Sequence, residues 1–135
     1  MSEANIATVQ SLYAAFGRGE MQTLLDGCAP DVTWECGGRG GDFPVFGVRT
    51  GVAGVADFFR TVAKVLDFSE FSPREFYADK DKVFVFGHYA MTMKRNGRKV
   101  DADWVHVFVF RGGRVARFRE FTDTALFVAA YRAEG

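Results

Sequence analysis

VFVFGHYAMTMKR (83–95), Asn96-Gly97 and RKVDADWVHVFVF (98–110) decide the fold of this chain. Two runs rich in β-branched and aromatic residues flank Asn-Gly, the dipeptide that most favours a two-residue type I′ hairpin turn. Counting outward from Arg95 opposite Arg98 sets Met93 against Val100, Tyr89 against Trp104 and Val85 against Phe108. One face of the ribbon then carries Val85, Tyr89, Met91, Met93, Trp104, His106, Phe108 and Phe110. The other carries Phe84, Phe86, His88, Asp101, Asp103, Val105, Val107 and Val109. Both faces are largely apolar, so both need cover: helices of the chain on one, a second copy on the other. The stripe of Val105, Val107 and Val109 beside Phe84 and Phe86 predicts a homodimer through the outer sheet face.

Downstream, Arg111-Gly112-Gly113 turns the chain into RVARFREFT (114–122). Burying arginine is costly, so Arg117 and Arg119 point outward, which sends Phe118 and Glu120 inward. If 111–113 is a three-residue loop with Gly113 left-handed, Phe110 opposes Arg114 and Glu120 opposes Trp104, on the face of His106. A strict two-residue turn would put Glu120 and His106 on opposite faces. Thr122 or Asp123 then caps a last helix, TALFVAAY (124–131). Upstream of the hairpin, FSEFSPREFYA (68–78) reads as a strand interrupted or bulged at Pro73, joined to it by the polar turn 79–82.

The first half of the chain is helical. Ile6, Val9, Leu12, Tyr13 and Phe16 recur at helical spacing over 5–16, with Ser2 and Asn5 as candidate caps and Gly17 as the stop. A short helix over 20–27 shows Met21, Leu24 and Leu25 on one side, and Pro30 breaks the run. DVTWEC (31–36) alternates as a strand with Val32, Trp34 and Cys36 facing one way. GGRGGDFPVFG (37–47) reads as a mobile loop. A third helix runs from 51 to about 66, burying Val52, Val55, Phe58, Phe59, Val62 and Val65. The expected architecture is an α+β fold, a curved antiparallel sheet around the N-terminal helices, with Tyr13, Phe16, Trp34 and Phe58 in its concave interior. No repeat, low-complexity run or linker divides the chain, which predicts a single domain over 1–135.

Composition narrows the function classes. Of the 135 residues, 17 are basic and 17 acidic, so no net field draws nucleic acid or an anionic membrane. No apolar run approaches the roughly 20 residues that span a bilayer. The start MSEANIATVQ has no basic stretch before an apolar one, and Cys28 and Cys36 read as reduced thiols, so a cytoplasmic setting is expected. Neither cysteine has a CxxC or nearby Cys/His partner, so no metal is expected. The aromatic share is 16%, with 15 Phe, which suits a thick core or a pocket walled with rings.

Within that pocket the candidate chemistry belongs to Glu120 and His106. A carboxylate flanked by Phe118 and Phe121 demands a partner or a raised pKa, and burial would lift Glu120 toward about 6–7, where a general base works best. His106 would be its partner. Tyr13, Phe16, Trp34, Phe58, Tyr89, Trp104, Phe108 and Phe118 are the candidate ligand-contacting wall, and Trp or Tyr placed there needs a partner for its N–H or O–H. His88 falls on the opposite face and reads as structural or interfacial. The glycine-rich loop lacks GxxxxGK[ST] and is no phosphate cradle.

The order helix–helix–strand, the stretch P-V-F-G-x-x-x-G before a helix carrying Phe58 and Phe59, and W-V-H-V-F-V-F-R-G-G-R-V-x-R-F-R-E-F-T-D-T together resemble a known group. It is the ketosteroid-isomerase-related branch of the nuclear transport factor 2-like superfamily, with polyketide-cyclase-type (SnoaL-like) and limonene-epoxide-hydrolase-like cousins. The resemblance implies a cone-shaped roll, usually dimeric through the outer sheet face, with its pocket between concave sheet and helices. It implies that Glu120 corresponds to the last-strand carboxylate of cyclases and epoxide hydrolases, and His106 to a position where relatives often place Asp. Trp104 stands where the epoxide hydrolases have Arg, so their Asp–Arg–Asp relay is not carried. Two readings follow. One is a cofactor-independent isomerase, cyclase or lyase moving a proton on a small apolar carbonyl compound; the other is a non-catalytic ligand-binding or assembly protein in which Glu120 and His106 only pair.

Overall fold

Helical periodicity, two-residue alternation and turn residues divide the chain much as its sequence suggests. The structure, a computed structural model, describes residues 2–134. The helices are α1 (Ser2–Gly17), α2 (Met21–Asp26), α3 (Gly51–Val65) and α4 (Thr124–Arg132). The strands are β1 (Cys28–Cys36), β2 (Gly47–Thr50), β3 (Leu66–Asp79), β4 (Lys82–Met93), β5 (Lys99–Arg111) and β6 (Arg114–Thr122). They form one six-stranded sheet in the order β2-β1-β6-β5-β4-β3. β3 to β6 are an antiparallel meander. β1 adds to it in parallel beside β6, a pairing outside the antiparallel expectation, and β2 closes that edge antiparallel to β1. The four residues of β2 are too few to show a period, and glycine-rich sequence leads into them, so alternation could not reveal the strand.

The central hairpin keeps the expected faces but not the expected register. Met91 lies opposite Val100, Tyr89 opposite Ala102 and Val85 opposite His106. The slip is two residues, and because side chains alternate with period two, every residue stays on its face. Its cause is a longer turn than Asn-Gly alone would make. The Met93 amide donates to the Arg98 carbonyl over 2.7 Å, the Gly97 amide donates to the Met93 carbonyl over 2.8 Å, and Gly97 alone of the dipeptide has positive φ, at 76°. Asn96 spends its amide elsewhere, donating to the carbonyls of Ala130 (2.8 Å) and Ala133 (2.9 Å) at the end of α4.

The β5–β6 turn also differs. Arg111 pairs with Arg114 across Gly112 and Gly113, both left-handed (φ 59° and 80°), as a type I′ turn of two residues requires. Carried through, that register would turn Glu120 away from His106. It is not carried through: the pairing shifts by one between Val109 and Phe110, with Ala116 the extra residue on β6. Beyond this bulge, His106 lies opposite Glu120. β3 is likewise irregular beside Pro73, and the β1–β6 ladder skips between Cys28 and Thr33, which lets Pro30 sit inside β1 where no amide is needed.

The core lies on the concave side. Val9 and Leu12 from α1 and Val55, Phe58 and Val62 from α3 meet the inward residues of the sheet. Asp123 caps α4, its carboxylate accepting from the Leu126 amide over 3.3 Å, and Phe127 packs into the same cluster. The 37–47 segment, expected to be mobile, is instead packed: Phe43, Val45 and Phe46 are buried. Arg49 fastens it by donating to the carbonyls of Pro44 and Val45, both over 3.0 Å. Glycine content signalled the backbone freedom of this loop but not the three apolar side chains that anchor it. Among the described residues, no helix is long and apolar enough to cross a membrane.

Candidate functional site

Strand register builds the site. His106 on β5 pairs with Glu120 on β6, and Glu120 pairs with Cys36 on β1, so three inward side chains lie in one row across three strands. The His106 Nε2 and Glu120 Oε2 are 2.8 Å apart. Cys36 donates its thiol proton to Glu120 Oε1 over 2.9 Å. From above, α1 brings the Tyr13 hydroxyl to 2.7 Å from His106 Nδ1. The His106 and Glu120 side chains are only 5% and 12% exposed.

The network fixes its own protons. Burial, aggravated by the Glu120 charge, pushes the Tyr13 hydroxyl far above its usual range, so it remains a donor. The Cys36 thiol is raised in the same way and also stays protonated. Burial pulls His106 below its ordinary 6.5, although the hydrogen bond to Glu120 opposes this. Burial pushes Glu120 upward, but the hydrogen bond and charge of His106 and the Cys36 thiol, with Tyr89 beside them, more than offset it. Glu120 therefore lies below its ordinary value, not raised toward neutrality as burial alone suggested. The resting arrangement is a neutral imidazole accepting from Tyr13 at Nδ1 and donating from Nε2 to an anionic carboxylate.

Around this row lies an apolar cavity of about 80 Å³. Tyr13, Phe16, Trp34, Phe58, Tyr89, Phe108 and Phe118 line it together with His106 and Glu120. Trp104, expected in the wall, is not part of the lining. Its indole lies flat over Gly87, where an added Cβ would come within 2.2 Å of the ring, and stacks on the His106 ring at 3.8 Å between centroids. It backs the imidazole instead of facing the cavity. His88 sits on the outer face between Asp101 (2.6 Å from Nε2) and Asp103 (2.7 Å from Nδ1).

Sequence reasoning missed the polar ends of the network. Tyr13 was expected only as wall, and Cys36 only as a strand residue beside Trp34. Helix spacing puts Tyr13 on the buried side of α1 but does not say which strand residue it meets. Cys36 reaches Glu120 through the parallel β1–β6 pairing, for which local sequence carries no signal.

A sequence profile of the SnoaL-like domain matches residues 9–118. The chain belongs to the SnoaL-like family. Solved structures superpose along nearly its whole length. An NTF2-like protein from Burkholderia xenovorans LB400 shares 29% identity at a TM-score of 0.88, over 96% of this chain and 97% of its own. An NTF2-like protein of unknown function from Burkholderia pseudomallei K96243 shares 30% at 0.86, over 98% and 100%. TerC, co-crystallized with polyporic acid, shares 31% at 0.85, over 96% and 99%. Among curated proteins, none matches the sequence. The SnoaL-like match takes in Tyr13, Cys36 and His106 and stops two residues before Glu120.

Proposed function

We propose that this SnoaL-like chain binds a small apolar carbonyl compound in its concave cavity and moves a proton on it, as a cofactor-independent isomerase, cyclase or lyase. The observation that carries this reading is the Tyr13–His106–Glu120 chain of hydrogen bonds, set in a wall that is otherwise aromatic and aliphatic. Glu120 is the proton sink. It takes the proton directly from the carbon beside the carbonyl, or through the chain. In the second route the substrate proton passes to Tyr13 Oη, the hydroxyl proton to His106 Nδ1, and the Nε2 proton to Glu120. Charge then moves from a buried carboxylate to a substrate enolate, and the apolar wall keeps water from competing for the proton. The complex of TerC with polyporic acid supports a small organic ligand for this fold.

The cavity of about 80 Å³ is smaller than the roughly 150 Å³ that accepts benzene, so a ring-sized substrate enters by displacing wall side chains. That same tightness favours the second reading, a ligand-binding protein whose polar network only holds the core. One experiment separates them. In deuterated water the protein is incubated with a small cyclic ketone, and exchange of the hydrogens beside the carbonyl is followed by NMR. Wild type should accelerate exchange, and Glu120→Gln should lower that rate roughly 10²–10⁴-fold while ketone binding persists. Equal exchange by both proteins would leave binding alone.

The same proposal takes the chain as one cytoplasmic domain over 1–135 that dimerises through its outer sheet face. Its support is the apolar half of that face, where Phe86 and Phe121 are exposed beside Val105 and Val107. The charged half, His88 with Asp101 and Asp103, lies toward the hairpin turn.

A further inference from the structure

The hydrogen-bonding groups of the cavity are unevenly used. Its acceptors are engaged: Glu120 Oε1 by Cys36, Glu120 Oε2 by His106, and His106 Nδ1 by Tyr13. Two of its donors are not. Trp34 Nε1 and Tyr89 Oη line the cavity, are buried, and have no hydrogen-bond partner among the described residues. Trp34 is 4% and Tyr89 3% exposed, so water does not readily serve them. An indole N–H can only donate. Tyr89 stays protonated because burial and the nearby Glu120 charge raise it far above its ordinary value. Leaving such a group unpaired costs about 1–3 kcal/mol, and orphaned buried donors in a folded protein need a reason.

Aromatic neighbours hold both rings, and the Tyr89 hydroxyl, with Glu120 and Thr122 nearby, completes a hydrogen bond to neither. Trp34 is stacked on Phe118 at 4.0 Å and 18° between planes, and Phe58 and Phe59 close on it from α3. Tyr89 is held edge-on to Phe127 at 5.7 Å. We propose that Trp34 Nε1–H and Tyr89 O–H are the ligand's hydrogen-bond donors, so that the site selects a compound presenting acceptor oxygen. This rests on the cavity being the ligand site. Within the proton-transfer reading, the two donors hold the oxygen on which the enolate charge appears, while Glu120 takes the proton. An ammonium ligand has no lone pair to offer the two donors and is drawn instead toward the Glu120 carboxylate.

The test uses three five-membered-ring probes: cyclopentanone, methylenecyclopentane, which replaces the carbonyl oxygen by CH₂, and cyclopentylamine. Binding to the whole protein is followed by the two indole N–H signals in ¹H–¹⁵N spectra, with Trp34 assigned by its disappearance in Trp34→Phe. Cyclopentanone should move the Trp34 signal downfield and leave Trp104 as an internal reference. It should bind about three- to tenfold more tightly than methylenecyclopentane, the worth of one hydrogen bond, and cyclopentylamine, protonated near neutrality, should not move the Trp34 signal downfield. Trp34→Phe keeps the stacked ring, and Tyr89→Phe removes only a hydroxyl. Each should reduce the preference for ketone over alkene without weakening the alkene. Equal binding of ketone and alkene, an unmoved Trp34 signal, or a preference that survives both substitutions overturns the donor assignment while leaving the cavity a ligand site. Failure of all three probes to bind overturns the assignment and the cavity reading together.

Discussion

Tyr13 Oη and His106 Nδ1 lie 2.7 Å apart although 93 residues separate them in the chain. The contact joins α1 to the middle of β5, and it does so through the nitrogen that the Glu120 hydrogen bond leaves free. Helix docking and imidazole tautomer are thereby coupled. With Tyr13 donating, Nδ1 is an acceptor and the ring proton stays on Nε2, facing the carboxylate.

Tyr13→Phe removes the donor and leaves Nδ1 buried without one. The variant should lose about 1–3 kcal/mol of unfolding free energy in urea titration. Because α1 keeps its packing, near-ultraviolet circular dichroism should remain native. A variant as stable as wild type would mean that the hydroxyl contributes nothing to the fold.

The chain has two histidines, and their environments oppose each other. Burial lowers His106, while the Asp103 hydrogen bond, despite some desolvation and with the charge of Asp101, raises His88, both from 6.5. In an NMR titration one imidazole should titrate below 6.5 and the other above it. Between its folded value and 6.5 the unfolded chain binds the His106 proton and the folded chain does not, so that contribution is lost as pH falls below 6.5. Glu120, lowered from 4.5, adds a loss of the same sign further into acid. His88 contributes in the other direction, its stabilisation present below 6.5 and lost as pH rises through its raised value. In His88→Asn the remaining trend near neutrality should be a plain decrease in stability toward acid.

Gly87→Ala tests the shelf beneath Trp104. A Cβ at position 87 would meet the indole at 2.2 Å, so the ring must move and take its stacked partner His106 with it. Overpacking of this kind costs typically 1–3 kcal/mol. Thermal melting should show the loss, and the downfield signal of the His106 ring proton should shift, reporting the disturbed stack.

Val107→Asp places a charge in the apolar stripe of the outer face. Wild type should sediment as a dimer at micromolar concentration and the variant as a folded monomer. A wild-type monomer under these conditions removes the dimer from the proposal.

The sequence disclosed most of the site because alternation alone separates Arg117 and Arg119 from Phe118 and Glu120. Their inward or outward sense needs no knowledge of neighbours. Register was less legible. Asn96 and Gly97 carry the signature of a tight turn, yet Asn96 is drawn to the carbonyls ending α4, a contact with residues more than 30 positions away. The protonation of Glu120 was legible only in part. Burial could be read from flanking phenylalanines, whereas the opposing donors, His106 and Cys36, arrive through two strand pairings of opposite sense.

The extra residue at Ala116 gives the last strand something like a reading frame. The two-glycine turn alone would set the strand in the wrong phase, and the bulge restores it, so the two departures compensate as paired frameshifts do. Deleting Ala116 would remove the bulge and leave Glu120 opposite His106, whereas a regular ladder that paired Ala116 with Val109 would turn Glu120 to the outer face and carry Arg119 inward beside His106. The chemistry of this chain thus depends on one backbone unit being left out of the ladder, and a strand that paired every residue of 114–122 in turn would change the sign of the charge its cavity holds.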